Sequence, residues 1–146
     1  MRLWQMAGLC SENVRQATIV SWMLLGVYFT REFLFKMKKV SSPLCLGCTS
    51  NENESIEHLL LHCEYYKKIR EENLPKYLHE NKNISEILTN EDLIVQCILD
   101  PLSANLPSIV TTGWTSPKEA YAISRKFCSS LHRKRDKLYS ESDKVN

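Results

Sequence analysis

At 146 residues with a net charge of +2, the chain is long enough for one ordinary domain or two small lobes and too short for a polymerase. Apolar residues make up 43% and charged residues 25%, the balance of a globular chain with a core, and so small a net charge does not by itself argue for a nucleic-acid partner. Its distribution says more: acidic residues crowd the middle from Glu52 to Asp92, whereas Lys118 to Lys137 holds seven Lys or Arg against Glu119 and Asp136.

The opening Met-Arg-Leu-Trp-Gln-Met is not followed by an uninterrupted apolar run and a small-residue cleavage site, so no secretory signal is read here. The apolar patch from Ile19 to Phe29 is too short to span a bilayer. The expectation is a nuclear or cytoplasmic protein, without a membrane partner, whose six cysteines are reduced.

Val14, Ala17, Val20, Met23, Leu24 and Val27 recur at spacings of three and four, predicting a helix with one buried face, Ser11 as its N-cap and Gly26 as its end or a bend. A second short helix is predicted from about Thr30, burying Phe33 and Met37 with Arg31, Lys36, Lys38 and Lys39 outward. Together, residues 1–42 read as a helical hairpin.

Ser41, Ser42 and Pro43 then lead into Cys45. Cys45 and Cys48 form a Cys-x2-Cys pair, and after nine residues His58 and Cys63 supply His-x4-Cys: four thiolate and imidazole ligands, a closed set with no open position, of the kind tetrahedral zinc prefers. Gly47 suits a tight knuckle, since glycine takes a positive φ and lets backbone N–H groups turn to the sulfurs. From spacing alone the fourth ligand is Cys63 or its neighbour His62, which stands one helical turn after His58; thiolate affinity for zinc favours Cys63. A disulfide is disfavoured without a secretory signal, and a thioredoxin-like motif lacks the strand before Cys45 and the helix immediately after it. Residues 43–66 are the zinc knuckle, its second pair carried on a helix capped by Ser55.

After Cys63 the pattern Tyr65, Tyr66, Ile69 and Leu74 continues as helix to Pro75, with the tyrosines as core edges. One or two further helical turns are expected at 84–88. Thr89 and Asp92 open a helix containing Leu93, Ile94, Cys97, Ile98 and Leu99 that stops at Pro101. Residues 101–115 read as a loop, with Leu106 and Trp114 against the body. Ser116-Pro117-Lys118-Glu119 caps a last helix running to about Tyr139, which buries Ala122, Ile123, Phe127 and Leu131 before a frayed polar tail. The fold class is therefore mostly α: a small helical domain with a Cys-Cys-His-Cys zinc knuckle between helical segments, residues 67–146 forming a helical region with a long basic C-terminal helix, and the whole one compact unit.

The run Glu57-His58-Leu59-Leu60-Leu61-His62-Cys63 behind a Cys-x2-Cys and an acidic loop resembles the zinc-binding region downstream of the reverse transcriptase in non-LTR retrotransposons, with Glu64 where proline is common there. Val14-Arg15-Gln16-Ala17-Thr18-Ile19 and Leu24-Leu25-Gly26-Val27-Tyr28 are similar to the helical approach to that knuckle, and Ile123-Ser124-Arg125-Lys126-Phe127-Cys128 with Leu131-His132 and Arg135 to a recurring tail, so the resemblance spans about residues 12–138. It implies Cys45, Cys48, His58 and Cys63 as ligands of Zn2+, a reverse transcriptase domain as a possible partner, and a separated C-terminal piece of such an element.

No polymerase, endonuclease or ribonuclease H carboxylate set accompanies the knuckle, and neither Cys10 nor Cys128 has a histidine assured beside it, although His132 lies four residues after Cys128. The expected function is non-catalytic, with no small-molecule substrate: a zinc module that binds RNA or DNA through phosphate contacts from Arg125, Lys126, Arg133, Lys134, Arg135 and Lys137. The alternative is a zinc-stapled structural or protein-interaction domain, a relic of a reverse-transcriptase-containing polyprotein.

Overall fold

The computed structural model describes residues 10–74, 91–101 and 117–145. It is mostly α, with helical segments α1 (Ser11–Leu24), α2 (Arg31–Lys36), a π-helical turn (His58–His62), a 3-10 turn (Glu64–Tyr66), α3 (Lys67–Asn73), α4 (Glu91–Leu99) and α5 (Pro117–Val145). Among the described residues the only β pairing is an isolated antiparallel bridge, Leu44 with Asn53. No described helix is long and apolar enough to cross a membrane. The features expected at 84–88, Thr89, Leu106, Trp114 and Ser116 lie outside the described residues.

α1 packs along α5, and α3 and α4 flank that pair, α3 against α5 and α4 against α1. Ala17, Val20 and Met23 of α1 are buried as their spacing requires, while Val14 and Val27 at the ends of the same stripe stay exposed. Helix α1 ends where glycine allows it. Gly26 has φ +70°, Val27 N–H reaches back to Trp22 O at 3.0 Å and Gly26 N–H to Met23 O at 3.2 Å, the paired bonds of a Schellman stop.

Helix α2 starts at Thr30, whose hydroxyl accepts from Phe33 N–H at 3.1 Å. Its expected burial of Phe33 and Met37 is corrected by the structure: α2 buries no residue fully, and Met37 is 54% exposed. The reason is that α2 is held by its N-terminus rather than by an apolar face. The Glu54 carboxylate accepts from Arg31 N–H at 2.8 Å, and Glu32 N–H bonds Glu54 O at 3.2 Å.

On α5 the buried face also differs from the expected one. Phe127 and Leu131 are fully buried, but Ala122 and Ile123 only partly, and Tyr121, Ser124, Arg125, Cys128 and Arg135 complete the covered stripe. The helix continues to Val145 rather than fraying after Tyr139. Leu59, Leu60, Cys63 and Tyr66, all 0% exposed, join the core formed by α1, α4 and α5, so the ligand loop is built into the domain.

Candidate metal centre

Cys45, Cys48, His58 and Cys63 come together, their ligand atoms all within 4.8 Å of one another. Cys45 Sγ lies 3.7 Å from Cys63 Sγ, and Cys48 Sγ 3.4 Å from His58 Nε2. His62 is not part of the cluster. It is half-exposed, and its Nε2 pairs with Glu91 at 2.7 Å.

Local geometry explains why Cys63 is chosen. Ser55 opens the turn: its hydroxyl accepts from His58 N–H at 3.1 Å. In an α-helix, residues five apart point about 140° away from one another, so His58 and Cys63 would not face one ion. The backbone instead widens to a π turn, closed by Cys63 N–H to His58 O at 2.8 Å, which brings the fifth residue back beneath the first. Arg70 holds the exit of this turn, Nη2 donating to Cys63 O at 2.7 Å.

The other pair sits on a knuckle tied to the loop by Cys45 N–H to Glu52 O at 2.9 Å and Glu54 N–H to Pro43 O at 2.9 Å. Backbone N–H groups of Gly47 and Cys48 do turn to Cys45, but Gly47 does not have a positive φ. Its constraint is close approach: a Cβ there would stand 3.1 Å from Tyr65 Cβ and Cγ. Asn51, at φ 57°, makes the left-handed step in the loop, a conformation asparagine tolerates.

Each sulfur has a donor beside it. Cys63 takes the Tyr65 N–H, and Ser50 Oγ lies 3.0 Å from Cys48 Sγ. The hydrogen bond from Cys63 lowers the Cys45 thiol well below the ordinary range, burial opposes this, and the Gly47 and Cys48 amides reinforce it; the same bond, followed by burial, pushes Cys63 up. An ion that takes up both sulfurs removes this shared proton.

Glu52, which the sequence reading left as loop, is the histidine's orienting group. Its Oε2 lies 2.8 Å from His58 Nδ1, so the ring proton sits on Nδ1 and the Nε2 lone pair faces the sulfurs. A buried ligand histidine needing a carboxylate was the available signal, yet nothing in Asn51-Glu52-Asn53-Glu54 says which glutamate supplies it.

Glu54 has the opposite environment. It is 0% exposed and receives Arg135 Nη2 at 2.7 Å, Arg135 Nε at 3.2 Å and Tyr139 OH at 2.6 Å. Arg135 Nη2 also reaches Phe29 O at 2.5 Å, and its guanidinium lies over the Tyr139 ring at 4.2 Å. Burial opposes the charge on Arg135, but the Glu54 hydrogen bonds more than offset it and its pKa is raised.

This corrects the basic set expected to touch phosphates. Arg125 and Arg135 are buried, at 4% and 7% exposure, and Lys134 is half-buried with Nζ 2.8 Å from Tyr65 O and 4.3 Å from the Tyr65 ring centre. Lys126, Arg133 and Lys137 remain exposed. Compared with protein-family models, curated proteins and solved structures, the chain matches none. The centre therefore rests on its own geometry: a site able to hold a metal ion, with three sulfurs and one nitrogen.

Proposed function

We propose that the chain is a non-catalytic zinc-stapled module, related to the region downstream of the reverse transcriptase in non-LTR retrotransposons, that binds RNA or DNA through its phosphates. The observation that carries the zinc reading is the size of the cage. Zinc bonds of about 2.3 Å to sulfur and 2.0–2.1 Å to nitrogen, set tetrahedrally, require S···S edges of about 3.8 Å and S···N edges of about 3.6 Å. Two of the six edges here are 3.7 and 3.4 Å, and all four ligand atoms lie within 4.8 Å of one another, a cage that an ion would draw in slightly. Four protein ligands leave no position for a substrate, which suits a structural ion. The buried Cys128 thiol, pushed up to about 12 by desolvation, supplies no thiolate nucleophile beside His132.

The nucleic-acid reading is supported by the basic residues that stay exposed. Lys126, Arg133 and Lys137, seven and four residues apart, fall on one stripe of α5 about 16 Å long. Arg15 on α1 shares a cleft with Arg133. Three to four phosphate contacts predict that the logarithm of the binding constant falls with the logarithm of salt concentration with a slope of about −3. Titrating labelled RNA and DNA at several salt concentrations measures it; binding that is absent, or indifferent to salt, contradicts the reading.

One observation favours the second reading, a protein-interaction domain. Phe29, Phe33, Leu34 and Met37, with Lys39, line a depression of about 330 Å³, and Phe29 is 59% exposed. On that reading a partner polypeptide, such as a reverse transcriptase domain, covers the α2 face, and Lys126→Ala with Lys137→Ala leaves binding to that partner unchanged.

A further inference from the structure

Between α1 and α5 lies a cleft of about 350 Å³, lined by Glu12, Arg15, Trp22, Ser129, His132 and Arg133 among others. It is separate from the metal centre, and its lining is unusual for this molecule. Trp22 is 42% exposed although it stands on the helix that supplies much of the core, and the Arg15 side chain is 76% exposed. An indole face and two guanidinium groups at one opening are the chemistry that holds a base and its phosphate.

The floor of the cleft is fixed by a polar chain that starts beside the metal loop. Glu54 holds Arg135, the Arg135 guanidinium lies 5.4 Å from the Tyr28 ring centre, and Tyr28 OH lies 2.7 Å from His132 Nδ1. Burial lowers the His132 pKa, Asp136 opposes this, and the Arg135 charge adds to the lowering. Glu12, 3.6 Å from Arg15, is the one carboxylate in the lining; it steadies that guanidinium and adds an acceptor for a base amino group.

We propose that this cleft takes one unpaired nucleotide of a single strand, its base against Trp22 and its phosphate between Arg15 and Arg133. The volume is at the small end of ligand pockets, about 300–1,000 Å³, which fits a single nucleotide. A base in a duplex cannot offer its face to the indole without leaving the stack. The inference rests on the nucleic-acid reading and sharpens it from phosphate contact to a preference for single strands. A free nucleoside monophosphate carries the same chemistry.

The test is fluorescence anisotropy with labelled oligouridylate, oligothymidylate and a duplex of equal length, using Trp22→Ala, Trp22→Phe and Arg15→Glu. Single-strand affinity should fall about ten-fold in Trp22→Ala and in Arg15→Glu and be largely kept in Trp22→Phe, with duplex binding indifferent to Trp22. Competition by uridine monophosphate at low concentration would assign the cleft to the free nucleotide; competition only by the oligomers assigns it to the strand. If Trp22→Ala and Arg15→Glu leave single-strand binding unchanged while Lys126→Glu with Lys137→Glu abolishes it, the cleft assignment is wrong and the phosphate-stripe reading stands. If no nucleic acid binds at all, both fall.

Discussion

Glu52 and Glu54 are two residues apart in one loop and do different work. Glu52 is exposed enough to exchange water, yet its Oε2 sits 2.8 Å from His58 Nδ1. Replacing it by Gln removes the carboxylate charge facing Nδ1 and makes the Nδ1 partner an amide. Glu52→Gln should weaken metal affinity by about ten-fold or more without loss of helix content, measured by competition against a chromophoric chelator. An unchanged affinity would mean that the carboxylate does not orient the ring. At this scale the four residues of the cluster were legible, with spacing leaving Cys63 and His62 as alternatives for the fourth, because a metal restricts both residue type and spacing. The two glutamates were not, because their difference lies in what folds over them: Arg135 and Tyr139 arrive from far along the chain and bury one carboxylate but not the other. Arg135 was misread for the same reason, since a basic residue in a basic helix gives no local sign of a buried partner.

Some helix ends and the middle of the buried face of α1 were legible from short signals. But Ser11 is the first residue of α1 rather than its cap, α5 ends past Tyr139, and the faces of α2 and part of α5 were misread. Thr30, Ser55 and Gly26 act where their side chains or φ angles suit them. The π turn was hidden, because His-x4-Cys is written on residues that otherwise read as ordinary helix; only the demand that both ligands face one point widens the backbone. Helix α2 repeats the Schellman stop of α1 with a less suitable residue. Lys39 N–H reaches Leu34 O at 2.8 Å, Lys38 N–H reaches Phe35 O at 3.0 Å, and Lys38 carries φ 57°. Two substitutions should therefore have opposite signs. Gly26→Ala, where a Cβ meets nothing within 4 Å, should cost about 1 kcal/mol through conformation alone, and Lys38→Gly should gain about as much. Urea denaturation of the two variants checks this, and equal shifts of one sign would refute it.

For the whole molecule, one buried ion pair joins parts that the chain keeps far apart. Glu54 belongs to the ligand loop, its carboxylate caps α2 through Arg31 N–H, and Arg135 and Tyr139 bring α5 onto it. Arg135→Met should destabilise the fold by about 3–5 kcal/mol, because it leaves Glu54 charged and enclosed. Adding Glu54→Gln should recover a large part of that loss, and a double variant no better than the single one would show that the guanidinium matters for packing rather than for charge. The basic stripe and the α1–α5 cleft stand on this same scaffold, so the Cys–His cluster, the ion pair and the outer face are expected to respond together when the loop loosens.

The central claim is that Cys45, Cys48, His58 and Cys63 hold one zinc ion. Native mass spectrometry of protein purified without added metal, with thiols counted before and after a chelator, tests it most directly. The account predicts one zinc per chain, rapid reaction of the exposed Cys10, and the simultaneous release of three more thiols by the chelator, with Cys97 and Cys128 reacting only on unfolding. Cys48→Ser should abolish that zinc. Metal-free protein with Cys45 and Cys63 still protected by burial alone, or zinc retained in full by Cys48→Ser, would contradict it.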